Sequence, residues 1–534
     1  MDYYDTLFAK AKSNSPAPEP TLIEKSVNTN GTYRAEDDEA DGYSSVTVNV
    51  PNTYVAGDEG KVVSNGALVS QTSTVVNQNG TIDTTLINSV EVAVNTVRYG
   101  WHVDPSESDP SDCISYLADA IGATPAAMGA ATFSYGSWAG AFFLPKPCML
   151  KSDGTVAYYL DPNDYSKKAD GTASDVANPD FDGNAMMEWP KLWYKFEAGT
   201  ASGEGSFYVS NKQIDDSYKC WCNLDADGNE VDHFYTAIYN GTSAATYDST
   251  ATYAAGDRVT YSGAEYVCKT AIETAEAWNS SHWEQAFATT RLRSLSGVQT
   301  NPAHGNGNTS GSEETARAAA NDTTAKSEWY IDTWSQRVLI NALLVLMSKS
   351  LDTQGCFGQG VSGGSQTAKE AYITGSLDDK GLFYGDITGT ATAVKVFGME
   401  NWWSLVWHRT AGLIGAANNE YKYKLTYSTA DGTTAAGYSS VGTGYLTATG
   451  KPTESNYVKL MSYGAWGFLP LEVGAYSSQY YKDYYYNGTG FALVGGNSDR
   501  GAGAGAFCVH LNNGFGYRYW SIAASLSCIP CRKG

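Results

Sequence analysis

The side chains best suited to recognition chemistry cluster between Phe491 and Leu526, in the run FALVGGNSDRGAGAGAFCVHLNNGFGYRYWSIAASL. Asn497, Ser498, Asp499, Arg500, His510, Asn512, Asn513, Phe515, Tyr517, Arg518, Tyr519 and Trp520 stand among glycines. Tyr, Trp, Arg, Asn and Ser are favoured at binding surfaces because they combine rigid amphipathic area with adaptable hydrogen bonds. The chemistry implied is non-covalent contact. The other reading of the same stretch is a Gly-rich loop and strand closing a β domain.

Covalent chemistry finds little footing. The six His are scattered at 102, 233, 282, 304, 408 and 510, and no H-E-x-x-H, G-x-S-x-G or P-loop run occurs. No metal site, cofactor or catalytic residue is therefore expected, and the chain reads as a non-enzyme. Asp225-Ala-Asp227-Gly228-Asn229 begins like a calcium loop, but its twelfth position is Thr236 rather than Glu, so a hairpin turn is expected. The adjacent acids Asp37-Asp38 and Asp378-Asp379 read as solvated turns. The nine Cys are odd in number and irregular in spacing, which implies no full disulfide framework. Cys528-Ile-Pro-Cys531 lacks the second pair that a zinc site needs.

A second recognition candidate lies between Asn240 and Ala288. Tyr253-x-x-Gly-Asp-x-Val-x-Tyr261-x-Gly-x-x-Tyr266-x-Cys268, followed by Trp278 and His282-Trp283, resembles small chitin-binding-type carbohydrate modules. The resemblance implies sugar rings stacking on exposed aromatics, with Tyr253, Trp278 and Trp283 as candidates. The same rings could instead form the small core, since so short a unit has little else to bury. Tyr239-Asn-Gly and Arg291-Leu-Arg-Ser would join if the segment were deleted, so 241–287 reads as an insertion.

Around these candidates the pattern is mostly β. Residues 1–13 could form a short amphipathic helix, and Ser13–Pro20 is a Pro-rich linker. Asn-Gly-Thr turns at 30–32 and 79–81 lead into alternating strands Ser45–Val50 and Ser89–Val94, with short strands at Lys61-Val-Val and Ala67-Leu-Val-Ser between. Ser111–Ala120 reads as a helix, and so does Glu328–Lys349, whose apolar residues recur at helical spacing. Met186–Lys195 alternates large apolar and polar residues like a half-buried strand. Charged residues are only 17%, whereas Tyr (38) and Gly (55) are abundant, which fits turn-rich β structure. A net charge of −22 disfavours nucleic acid and anionic lipid as partners. No signal peptide or membrane-spanning run is visible, so no membrane insertion is expected.

The repeats at 21–97 resemble β-repeat modules of tail proteins from phages of gut bacteria. Glu188-Trp-Pro-Lys, Arg291-Leu-Arg-Ser-Leu-Ser-Gly, Gly398-Met-Glu-Asn-Trp-Trp and the Ala492-Leu-Val-Gly-Gly-Asn to Ile522-Ala-Ala-Ser-Leu end resemble a C-type-lectin-like fold. That version of the fold is found in phage tail adhesins, in variable proteins of diversity-generating retroelements (the major tropism determinant type), and in formylglycine-generating enzymes. Relatives often carry Gly-Ala-Arg-Leu where this chain has Ala523-Ala-Ser-Leu526.

The resemblance implies an α+β, mostly β chain in four parts. These are a docking helix and linker at 1–20, a β-repeat stalk at 21–97, a receptor-binding domain at 98–240 and 288–534, and the carbohydrate-type insert. It further implies a virion protein of the tail tip or fibre, a homotrimer, bound to other tail proteins through its N-terminus. Its host-surface receptor would be met by Asn497, Ser498, Asp499, Arg500, Phe507, His510, Phe515, Tyr517, Tyr519 and Trp520.

Overall fold

The computed structural model describes residues 96–530 except 130–131, 226–227, 301–308, 324–326, 426–445 and 477–479; before residue 96 it describes four strand pieces. Strand outweighs helix, 37% against 12%, so the fold is α+β and mostly β. The chain divides into two compact units, Met1–Arg98 with Ser210–Ile214, and Tyr99–Val209 with Asp215–Gly534. In the first unit Leu22–Ile23 pairs antiparallel with Val50–Pro51, and Val62–Ser64 with Ala67–Val69. The expected helix at 1–13 and the strands Ser45–Val50 and Ser89–Val94 lie outside the described residues, apart from Val50.

The second unit is built on one buried helix, Trp334–Ser348. Thr333 caps it, its hydroxyl receiving the Gln336 N–H while Gln336 reaches back to the Thr333 N–H. Every residue of this helix is buried, as expected of one that is apolar almost all round. The residues before it do not extend it. Ser327–Ile331 is the edge strand of a seven-stranded sheet, pairing Tyr330 with Ser527 and Ile331 with Leu526. The helix therefore starts six residues later than the apolar spacing predicts, because Glu328–Ile331 satisfies its backbone on the C-terminal strand Leu526–Pro530.

The same competition overturns the helix expected at Ser111–Ala120. Ile114–Ala118 is a strand paired with Arg98–Val103, placing Tyr116 opposite Trp101 and Ile114 opposite Val103. Cross-strand apolar pairs outweigh local helix propensity there. Gly183–Pro190 is buried on both faces in the centre of the seven-stranded sheet, not half-buried, and Trp193–Ala198 begins a separate strand. Asp225 closes a hairpin: Leu224 bridges Glu230, and its carboxylate accepts the Asn229 N–H at 2.8 Å. Of the adjacent acids Asp378-Asp379, Asp379 is exposed as expected but Asp378 is half-buried. Tyr239 (2.5 Å) and Ser296 (2.8 Å) donate to its carboxylate, and burial raises its pKa. Every cysteine among the described residues is a free thiol.

The nine-stranded sheet carries the C-terminal segment. Its central strand Trp407–Ala416 is flanked by Phe491–Val494, which pairs in turn with Val509–His510, and by Ile522–Ala523 in parallel. Tyr484–Tyr486, Asn456–Gly464 and Gly467–Gly474 continue it outward. Helix and segment are tied by polar contacts: Asn341 donates to the Ala506 carbonyl (2.6 Å), and Trp402 donates to Asn341 (2.9 Å).

Candidate functional site

The C-terminal segment is sorted by depth. After the buried strand Phe491–Val494 the chain turns at Gly495 and Gly496, both with positive φ. A Cβ on Gly496 would lie 2.7 Å from that of Ala504, so this turn needs glycine. Asn497 and Ser498 then run under cover. The Ser498 hydroxyl donates to the Ser365 carbonyl (2.9 Å), and Asn497 accepts from Arg500 (3.1 Å). Phe507 sits edge-on between Phe468 and Tyr481, and its N–H is held by the buried Asp483 (2.6 Å). Phe515 packs on Phe491 at 4.7 Å and against Gly311, where a Cβ would come within 2.5 Å of its ring. Asn497, Ser498, Phe507 and Phe515 are each at most 5% exposed. They have no area to offer a receptor, and their assignment as contact residues is corrected: they build the frame.

The remaining candidates face outward. Asp499 and Arg500 are exposed and pair at 2.9 Å, while Arg500 also donates to the Tyr486 hydroxyl at 3.0 Å. Tyr517 and Tyr519 are 43% and 46% exposed, 6.1 Å apart and nearly parallel, with the half-buried Trp520 beside Tyr519. His510 is half-buried, and burial together with the Arg500 charge pushes its pKa down to about 4.

The exposed loop is held mainly through its main chain, with one exposed side-chain tie, Arg518 to Glu313 at 2.9 Å. The buried Arg409 donates to the carbonyls of Phe515 and Tyr517, each at 3.1 Å, and to Glu314 at 2.5 Å. Burial raises the pKa of Glu314, while the Arg409 charge opposes that rise. Sequence inspection missed this pair, whose members lie 95 residues apart. Beside the Asp499–Arg500 turn a cleft of about 290 Å³ is lined by Val361, Gly363, Gly364, Tyr372 and Thr390, and the Gly364 N–H donates to the Ser498 carbonyl.

The insert is a four-stranded sheet, in the order Ala245–Thr246, Arg258–Tyr261, Ala264–Cys268 and Trp283–Phe287. Its ends meet where Thr242 and Arg293 exchange backbone hydrogen bonds. Trp283 is 4% exposed and belongs to the small core with Val259, Cys268 and Ile272. Its assignment as a sugar contact is corrected, because the unit needs this indole as core. Trp278 lies parallel to Tyr261 at 3.9 Å and to Trp283 at 5.3 Å. Tyr253 stacks on Tyr247, its hydroxyl bonded to the Asp248 main chain. Tyr253, Trp278 and Tyr261 are all half-buried; Tyr261, part of the spaced motif but not among the sugar-contact candidates, extends the stack.

The insert is clamped to the domain. Arg258 bridges Asp180 and Glu265, and Arg291, paired with Asp182 at 2.8 Å, lies 4.0 Å from the Phe287 ring. The neighbouring Arg293 is buried under the strand start at Gly183, donating to the Phe181 and Gly183 carbonyls.

Among the described residues, Ser525, His408 and Asp332 form a Ser-His-Asp grouping. Ser525 and Asp332 approach the same nitrogen of His408, at 3.3 and 3.5 Å, and all three are buried. A hydrolytic triad needs the serine nucleophile and the orienting acid on opposite ring nitrogens of the histidine, with the serine reachable by substrate. Burial lowers the pKa of His408, and the group reads as internal wiring. Among the described residues, no three His, Cys, Asp or Glu side chains gather as metal ligands.

No curated protein matches the chain. Residues 246–286 match the model of carbohydrate-binding module family 5/12, and the finding supports a carbohydrate-binding module at this place in the chain.

Proposed function

We propose that the chain is a phage tail receptor-binding protein whose C-type-lectin-like domain attaches the virion to a host bacterial surface. The observation that carries the proposal is the build of the Gly514–Trp520 loop. A buried ion pair fixes its carbonyls, while Tyr517, Arg518 and Tyr519 stand exposed. A loop held by backbone can change its side chains without losing its shape, which suits a variable recognition face. On this proposal the exposed receptor contacts are Asp499, Arg500, Tyr517, Tyr519 and Trp520, with His510 at their edge.

The N-terminal repeats serve as a stalk, the assembly is a trimer that raises avidity, and no reaction is catalysed. The test is adsorption of the full chain to a panel of bacteria. Tyr517→Ala with Tyr519→Ala is expected to abolish capture by the responsive strain while the fold persists; unchanged capture would contradict the reading.

The insert supports a second reading, a virion decoration protein that holds glycan through the carbohydrate-binding module. Trp278→Ala with Tyr261→Ala distinguishes the two. The adhesin reading predicts that strain-specific adsorption survives this change, and the decoration reading predicts that attachment is lost.

A further inference from the structure

The outer strands of the nine-stranded sheet carry a feature that shares only His510 with the proposed receptor face. Along Tyr484–Tyr486 the middle ring, Tyr485, is buried, while Tyr484 and Tyr486 point the other way and are half-exposed. Register sets Tyr457 opposite Tyr484 on one side and His510 opposite Tyr486 on the other. The rings form a continuous ladder. Tyr476 to Tyr457 is 4.9 Å, Tyr457 to Tyr484 5.0 Å, Tyr484 to Tyr486 4.5 Å, and Tyr486 to His510 4.7 Å. Tyr476, at the open end, is 45% exposed. A solvent-facing strand row would ordinarily be polar; here it is aromatic with hydroxyl tips.

We propose that this ladder is a second carbohydrate-contact surface, taking a single soluble chain of a neutral β-linked polysaccharide. Three observations choose this occupant. Ring spacing of 4.5–5.0 Å is close to the advance of one pyranose along an extended β-linked chain, so successive sugars can meet successive rings. Neighbouring ring planes differ by 35° to 79°, so the rings offer a row of edges and hydroxyl tips rather than one flat platform, which disfavours a crystalline face.

Charge gives the third. Arg500 at one end is neutralised by Asp499, Lys482 at the other lies over the Tyr476 ring, and the chain carries −22 overall, which disfavours an anionic polymer. The carbohydrate-binding module at 246–286 supplies a separate grip on the same class of ligand. The proposal does not depend on the Tyr517–Tyr519 loop.

Titration calorimetry of the full chain with soluble β-1,4-linked hexaoses of N-acetylglucosamine and of glucose tests it. The expected result is two binding events for at least one hexaose. Tyr457→Ala with Tyr484→Ala removes one of them, and Trp278→Ala with Tyr261→Ala removes the other. Tyr484→Ser alone, a milder change, weakens the first without shifting the denaturation midpoint. Tyr517→Ala leaves both events intact, which keeps this test separate from the adsorption test above. A single binding event that the ladder variants leave unchanged overturns the proposal. So does loss of cell capture by those variants with hexaose binding intact, since the face would then recognise something other than glycan.

Discussion

The insert and the C-terminal segment are both rich in Tyr, Trp and Gly, yet they use their rings in opposite ways. In the insert the rings pack on one another, with Trp283 in the core and Trp278 beside both Tyr261 and Trp283. In the C-terminal segment Phe507 and Phe515 join a large core already built by the helix and two sheets, and Tyr517 and Tyr519 are left outside. The difference teaches that ring composition does not decide between core and contact. Small units have too little apolar volume to spare their aromatics, whereas a domain with a sizeable core can expose some.

The largest losses are expected at the residues that anchor the two regions. Arg409→Ala leaves Glu314 buried without its cation, and removing one partner of such a pair typically costs about 3–5 kcal/mol. Chemical denaturation should show that loss in the midpoint of the main domain. Trp283→Ala should cost about 3–5 kcal/mol as a core truncation, with the damage confined to the insert, as limited proteolysis within 246–286 would register. Phe515→Ala belongs to the same class and should loosen the Gly514–Trp520 loop, whose carbonyl at Phe515 also receives the Gly311 N–H.

A smaller effect comes from His510. Its folded pKa of about 4 lies below its unfolded value, so the folded state resists protonation. Stability is then fully present above the unfolded value near 6.5 and falls as pH drops towards 4. His510→Gln, which cannot titrate, should lose less stability than the unchanged chain between pH 7 and pH 5; identical pH profiles would contradict the assignment.

Much of this was legible in the sequence. The mostly β class followed from low charge and abundant Tyr and Gly, and the insert from its spaced Tyr, Gly and Trp residues. Outward-facing residues of the C-terminal segment were found, but its frame residues were not separated from them, because the polar Asn497 and Ser498 are buried by hydrogen bonds that no local pattern announces. The strand at Ile114–Ala118 and the delayed start of the helix at Trp334 were missed for one reason: distant strands supplied their partners. The Arg409–Glu314 anchor and the Tyr457–Tyr484–Tyr486 ladder are likewise products of register between segments far apart in the chain.

The Gly514–Trp520 loop takes its shape chiefly from the Arg409–Glu314 anchor beneath its carbonyls, and the exposed Arg518–Glu313 pair adds little. Full randomisation of positions 517, 518 and 519 in the intact chain, with stability read by proteolysis against denaturant, tests it most directly. Most non-proline variants should stay within about 0.5 kcal/mol of the original, as surface substitutions do, while host capture varies widely among them. A library in which most variants are as unstable as Phe515→Ala would contradict it.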